Sequence, residues 1–177
     1  MIVYFVRHAN AGQTLQNPKR DARRPLDQLG IEQATLMGRA LASADIQVDE
    51  VISSPLKRAT QSASLMANEL GFDGKIVYST ALAKETDFAQ FRQLLRKHSR
   101  REAIMLVGHN PSLSQYLSLL LTGGASDQTA QLKKGSVARV EVGSRDRAVL
   151  HWCLTPRLVR SIYDSVASSS RPKTVRK

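Results

Sequence analysis

Cysteine is almost absent: Cys153 is the single thiol among 177 residues, so no internal disulfide can form and no thiolate metal cluster can be built. Four histidines are scattered without a second thiol, which gives no metal-ligand spacing, so neither a metal nor another cofactor is expected. Aromatic residues make up only 5% of the chain, too few for a base-stacking platform. No apolar run approaches the roughly 18 residues that a spanning helix needs. The opening MIVYFV ends at Arg7 and His8, short of a signal-peptide core. A cytoplasmic protein with no membrane partner is the expectation. A G-x-x-x-x-G-K-[ST] stretch is also missing, so no P-loop nucleotide site is indicated.

Acidic residues are the other shortage, with 15 Asp and Glu against 26 Lys and Arg and a net charge of +11. An excess of this sign favours anionic partners without choosing among nucleic acid, acidic protein and phosphorylated substrate. Residues 157–177 carry five of the eleven net charges, and from residue 165 the chain reads SVASSSRPKTVRK, small and polar with a proline. Such a segment has little to bury. The expected organisation is one body over residues 1–156 and a basic extension over 157–177, flexible from about 165.

Within the body, strand and helix patterns alternate. Residues 1–6 (MIVYFV), 48–53, 75–79 and 103–107 (AIMLV) read as strands, the first and last of them buried on both faces. Helical spacing recurs through Ile31, Ala34, Met37 and Leu41, then through Leu56, Ala59, Ala63, Met66 and Leu70, and again through Phe88, Phe91, Leu94 and Leu95. Ser53-Ser54-Pro55 and Asn110-Pro111 each look like a polar N-cap followed by proline at the first helical position. Residues 137–142 and 148–154 flank Gly143-Ser144-Arg145-Asp146 as a hairpin. The pattern predicts an α/β three-layer sandwich with a mostly parallel central sheet, helices on both faces and a C-terminal antiparallel hairpin.

In such a sheet, ligands bind beyond the carboxyl ends of the strands. The first strand runs into Arg7-His8, the second into a helix start bearing Lys57 and Arg58, and the fourth into Gly108-His109. Arginine forks match phosphate oxygens, helix starts add free N–H groups, and a neutral imidazole nitrogen is a nucleophile toward phosphorus. Phosphoryl transfer without a metal therefore fits the cluster. Taken singly, each residue has a plainer explanation: His8 as a hydrogen-bonded strand end, Arg58 as a solvated helix residue, His109 as a cap.

Val6-Arg7-His8-Ala9, Ser54-Pro55-Leu56-Lys57-Arg58-Ala59 and Val107-Gly108-His109-Asn110-Pro111 resemble the three signature stretches of the histidine phosphatase superfamily, the phosphoglycerate-mutase-like enzymes with an RHG motif. Arg24-Pro25-Leu26 before Gly30 and the GHNP stretch are similar to the small SixA-like phosphohistidine phosphatases. The resemblance spans residues 1–154 and implies that His8 is a transiently phosphorylated nucleophile, with Arg7, Arg58 and His109 on the phosphoryl oxygens. Arg24 would line the pocket mouth or lie on the surface. Ala9 replaces the usual glycine, without changing the mechanism. Lys84-Glu85-Thr86-Asp87 offers two candidates for the general acid, of which Glu85 is the choice and Asp87 the alternative that could equally cap a helix.

The resemblance implies a hydrolase in signal transduction acting on phosphohistidine in a protein partner. A phosphatase of small phosphorylated metabolites is the alternative on the same site. A nucleic-acid-binding module is a further rival, motivated by the tail and by Arg92, Arg96, Lys97, Arg100 and Arg101, but charge runs are more often solvated faces. Those five cations could instead dock an acidic partner. A cysteine phosphatase is excluded because Val159 stands six positions after Cys153, where an arginine is needed; Cys153 is expected in the core.

Overall fold

In the computed structural model, which describes residues 1–84, 86–143 and 147–169, the opening apolar run forms strand β1 (Ile2–Arg7). Successive strand side chains project to opposite faces. Val3 and Phe5 accordingly enter one hydrophobic core, and Tyr4 and Val6 the other. Strand β4 (Ala103–Gly108) divides in the same way, Ile104 and Leu106 against Met105 and Val107. The two lie parallel, with Arg7 opposite Gly108. β2 (Glu50–Ser53) pairs parallel with β4, and β3 (Val77–Tyr78) parallel with β2. On the other side of β1, β5 (Val137–Val142) and β6 (Ala148–Leu154) add antiparallel, giving the order β3-β2-β4-β1-β5-β6.

Helices cover both faces, as the alternation predicts. A 3₁₀ turn at Thr80–Leu82, α4 (Phe88–Lys97) and α5 (Ser112–Thr122) close the first core, where Phe91 lies 4.7 Å from the Tyr116 ring and 5.7 Å from that of Phe5. The second core is covered by α2 (Gln28–Ser43), α3 (Lys57–Glu69) and α6 (Pro156–Ser169), through Ala34, Met37, Ala63, Met66 and Val159. A five-residue helix, α1 (Pro18–Ala22), is capped by the Asn17 side chain and meets the start of α3 through Asp21 and Arg58. Among the described residues no helix is long and apolar enough to cross a membrane.

Several sequence expectations shift. Both predicted caps are displaced: α3 begins at Lys57, and Asn110 spends its side chain on Leu132 and Ser114 while Pro111 takes the cap position of α5. Ile31 is half-exposed, because α2 turns Gly30, Ala34, Met37 and Leu41 inward. Cys153 is exposed rather than core, since β6 is an edge strand whose alternation gives Trp152 and Leu154 to the interior. The third strand shrinks to two residues. Gly143 and Arg147 close the hairpin by a 2.9 Å backbone bond, while Ser144, Arg145 and Asp146 lie outside the described residues.

The segment read as an extension from 157 and as flexible from about 165 starts as a helix, and α6 reaches Ser169. Val159, Ile162, Tyr163 and Val166 recur at steps of three and four, a spacing masked in the sequence by the serines around it. Thr155 caps the helix by accepting the Leu158 N–H at 3.2 Å, and Arg160 lies 3.5 Å from Glu32 on α2.

Candidate functional site

Parallel β1, β2 and β4 end at the same rim, and their first residues beyond the strands meet there. The His8 N–H donates to the Gly108 carbonyl at 3.0 Å, continuing the β1–β4 ladder by one residue. That bond brings the His8 and His109 rings to 4.8 Å between centroids, with both side chains buried. The Ala9 N–H is taken by Ser62 Oγ at 3.0 Å, so α3 fixes the chain immediately after His8.

A hydrogen bond decides the tautomer of His8. Its Nδ1 lies 2.7 Å from the Ala9 carbonyl, which can only accept, so Nδ1 carries the proton and Nε2 keeps its lone pair. His109 Nε2 lies 2.8 Å from Ser54 Oγ, which also accepts the Leu56 N–H at 3.3 Å. In the tautomer where Nε2 takes the Ser54 hydrogen, His109 Nδ1 is the N–H donor. Burial pushes the His8 imidazolium down to about 3, helped by Arg58, Arg7 and Lys134 against the opposing Ala9 carbonyl. His109 falls to about 2 through burial, with His8, Arg58 and Lys84 adding to it. Both rings are neutral at ordinary pH.

Arg58 is fully buried, its Nη1 donating to the Asp21 carbonyl at 2.9 Å and its Nη2 lying 3.5 Å from Asp21 Oδ2. Arg7 Nη1 donates to the Leu132 carbonyl at 3.0 Å. Burial lowers both guanidinium pKa values from their ordinary position. Arg7 Nε, Arg58 Nε, Arg58 Nη2 and His109 Nδ1 are buried donors without a hydrogen-bond partner among the described residues. Leaving such donors unpaired costs free energy. Four at one strand rim, three of them on cations, suit an anion with several oxygens.

Arg24, expected at the pocket mouth or on the surface, is nearly buried and tied inward. Its Nε donates to Asp21 Oδ1 at 2.9 Å, and its Nη1 donates to the carbonyls of Ala11 and Gly12. Asp21 and Lys134 also adjoin the site and lie outside the motifs, whereas Ser54 opens the second motif and Lys84 the stretch read for the general acid, neither with a role assigned from sequence. Lys134 Nζ reaches Asn10 Oδ1 at 2.6 Å. Only Asp21 carried a signal: it is the lone acid within the basic run Lys19, Arg20, Arg23 and Arg24.

Of the two general-acid candidates, Glu85 lies outside the described residues. Asp87 is the N-cap of α4 and accepts the Gln90 N–H at 2.7 Å, the structural use considered for it from sequence. A polar groove opens beside Arg7, lined by Asn110, Ser114, Gln115 and Asp127. The basic run ending at Arg100 and Arg101 lies at the other end of the sheet. Arg101 precedes β4, and six strand residues at about 3.3 Å each separate it from the His109 end by about 20 Å.

A family model described as histidine phosphatase superfamily (branch 1) matches residues 3–94. An uncharacterized protein of Picosynechococcus is 26% identical over 147 residues, covering 81% of this chain and 87% of its own. Among solved structures, the protein histidine phosphatase SixA complexed with tungstate superposes with a TM-score of 0.80 at 19% identity, over 90% of this chain and 99% of that one. The alpha-ribazole phosphatase of Shigella flexneri gives 0.72 at 16% identity, over 88% and 97%. At these identities the structural likenesses speak to the fold, which is phosphoglycerate-mutase-like. The family match covers more than half of the chain: this chain belongs to the histidine phosphatase superfamily.

Proposed function

We propose that the chain is a phosphatase that carries the phosphoryl group on His8. His8 Nε2 attacks phosphorus, the leaving group departs as its bond to phosphorus breaks, and water then hydrolyses the phosphohistidine to regenerate the imidazole. Arg7, Arg58 and His109 hold the non-bridging oxygens, where the four unpaired donors match the charge of the transferring group. The observation that carries this reading is the tautomer of His8. A neutral ring whose Nδ1–H donates to the Ala9 carbonyl keeps its nucleophilic nitrogen, Nε2, free to face those donors.

The substrate read as best suited is phosphohistidine on a protein partner, in cytoplasmic signal transduction. A phosphoramidate leaves through nitrogen that can be protonated from solvent, so it depends less on an enzymic acid; Glu85 takes that role for oxygen leaving groups. A second reading, small phosphorylated metabolites, is favoured by the polar groove at Arg7, whose amides, hydroxyl and Asp127 suit a hydroxyl-rich leaving group. Side-by-side turnover of a histidine-phosphorylated protein domain, an aryl phosphate and small phosphorylated metabolites, with a chelator present, separates the two. Preference for the protein, lost in His8→Ala, is the expected result. Turnover of small phosphates alone rejects the phosphohistidine assignment, and no turnover of any substrate rejects the enzyme.

A further inference from the structure

Asp21 is a meeting point of chain segments far apart in sequence. Its Oδ1 accepts from Arg24 Nε at 2.9 Å and from the Leu15 N–H at 3.1 Å, and its Oδ2 accepts from Lys84 Nζ at 3.0 Å. Oδ2 also lies 3.5 Å from Arg58 Nη2, while the Asp21 carbonyl takes Arg58 Nη1 at 2.9 Å. The residue is buried, with only 5% of its surface exposed. Removing a carboxylate from water disfavours its charged form, but here the Leu15 N–H, Lys84, Arg24 and Arg58 outweigh that cost and hold the carboxyl well below the usual carboxylate range.

We infer that Asp21 is the positioning residue of the phosphoryl site, acting through Arg58. A guanidinium is planar, so contacts from one residue to both of its terminal nitrogens fix the plane and the rotation of the whole group. With Nη1 spent on the Asp21 carbonyl and Nη2 drawn toward Oδ2, Arg58 presents Nε–H and the remaining Nη2–H in a set direction. The same carboxylate ties down, through Arg24, the loop at Ala11 and Gly12, and, through Lys84, the segment after the 3₁₀ turn. The carbonyl and the carboxylate of one residue therefore set the guanidinium together, and the carboxylate also fastens two of the walls around it. This rests on the reading of Arg58 as a ligand of the phosphoryl group.

A double-mutant cycle with Asp21→Asn and Arg58→Ala tests it, reading aryl phosphate turnover and competitive inhibition by inorganic phosphate in the full chain. Asparagine keeps the side-chain shape and an oxygen for the Leu15 N–H. The expected result is a kcat roughly tenfold or more below wild type in Asp21→Asn, with KM changed much less, and a double variant no slower than Arg58→Ala alone. Additive losses would mean that Asp21 acts independently of Arg58 and would overturn the inference. Wild-type turnover in Asp21→Asn beside a crippled Arg58→Ala would overturn it too, while sparing the reading of Arg58. Wild-type turnover in Arg58→Ala would overturn both. Should Asp21→Asn fail to fold, nitrogen NMR of the unsubstituted chain decides the matter: separate Nη signals for Arg58 are expected from a clamped group, and one averaged signal would refute the clamp.

Discussion

His8 and His109 face one another across 4.8 Å but are wired in opposite senses: His8 gives its Nδ1 proton to a carbonyl, whereas His109 is paired at Nε2 with the Ser54 hydroxyl. His8 is left with a free lone pair, and His109 with a buried, unpaired Nδ1 that donates an N–H when Nε2 takes the Ser54 hydrogen. A pair arranged in this way can attack phosphorus with the first ring and steady an oxygen with the second.

Removing the first ring should abolish turnover. His8→Ala is expected to lose activity and to form no phosphoenzyme, with its far-UV circular dichroism unchanged, because the ring packs at the rim and outside both cores. Labelling with radioactive phosphate under alkaline quench, which preserves phosphohistidine, checks this. A labelled His8→Ala protein would place the nucleophile elsewhere.

Removing Arg58 takes away donors that act on the charge of the transferring group. Arg58→Ala is predicted to lower kcat by about 10²–10³, the range found when one preorganised oxyanion donor is deleted. Steady-state kinetics on an aryl phosphate reads the loss. Ser54→Ala should act in the same direction by releasing His109 Nε2, with a smaller effect because no cation is removed.

The buried imidazoles also make stability depend on pH. Unfolded histidine titrates near about 6.5, while His8 and His109 in the folded chain stay neutral down to about 3 and about 2. Below pH about 6.5 the unfolded chain therefore binds up to about two more protons than the folded one, and unfolding becomes easier as pH falls toward 3. Urea midpoints between pH 7 and pH 4.5, on wild type and on a variant with both residues changed to Gln, measure the slope. The double variant should show a flatter profile over that window.

Gly30 marks a close approach that supports the site from behind. A Cβ placed there would lie 1.9 Å from the Asn10 carbonyl oxygen, and Asn10 is bonded to Lys134, Gln33 and Asp27 two residues beyond His8. Gly30→Ala must push the 9–10 segment away. A fall in activity together with a drop of several degrees in melting temperature is expected; an unchanged kcat would show that this segment moves independently of His8.

Much of the fold and the heart of the site could be read from sequence because they rest on local patterns. β1 and β4 declare themselves by unbroken apolar runs, and Arg7, His8, Arg58 and His109 follow because Arg7 ends a strand and each of the others stands one or a few residues past one. Asp21 did not emerge in the same way, since its role depends on contacts with Arg58 and Lys84, 37 and 63 residues away. The Ser54 hydroxyl keeps a local bond, accepting the Leu56 N–H, but it also meets His109, a partner 55 residues away that no local pattern announces. Likewise, the placement of Arg101 at the far end of the sheet from His109 follows only once the direction of β4 is known.

The place of β1 in the sheet also divides the molecule by timescale. With β4 bonded along one edge and β5 along the other, the amides of residues 3–6 can exchange with solvent only when the sheet itself separates. The exposed segment over residues 12–20 sits outside that ladder, held at Leu15 by Asp21 and at Gly12 by Arg24, so its amides are expected to exchange sooner. The proposed nucleophile thus follows directly on the strand expected to open last, while the chain beside it belongs to a faster class of exchange.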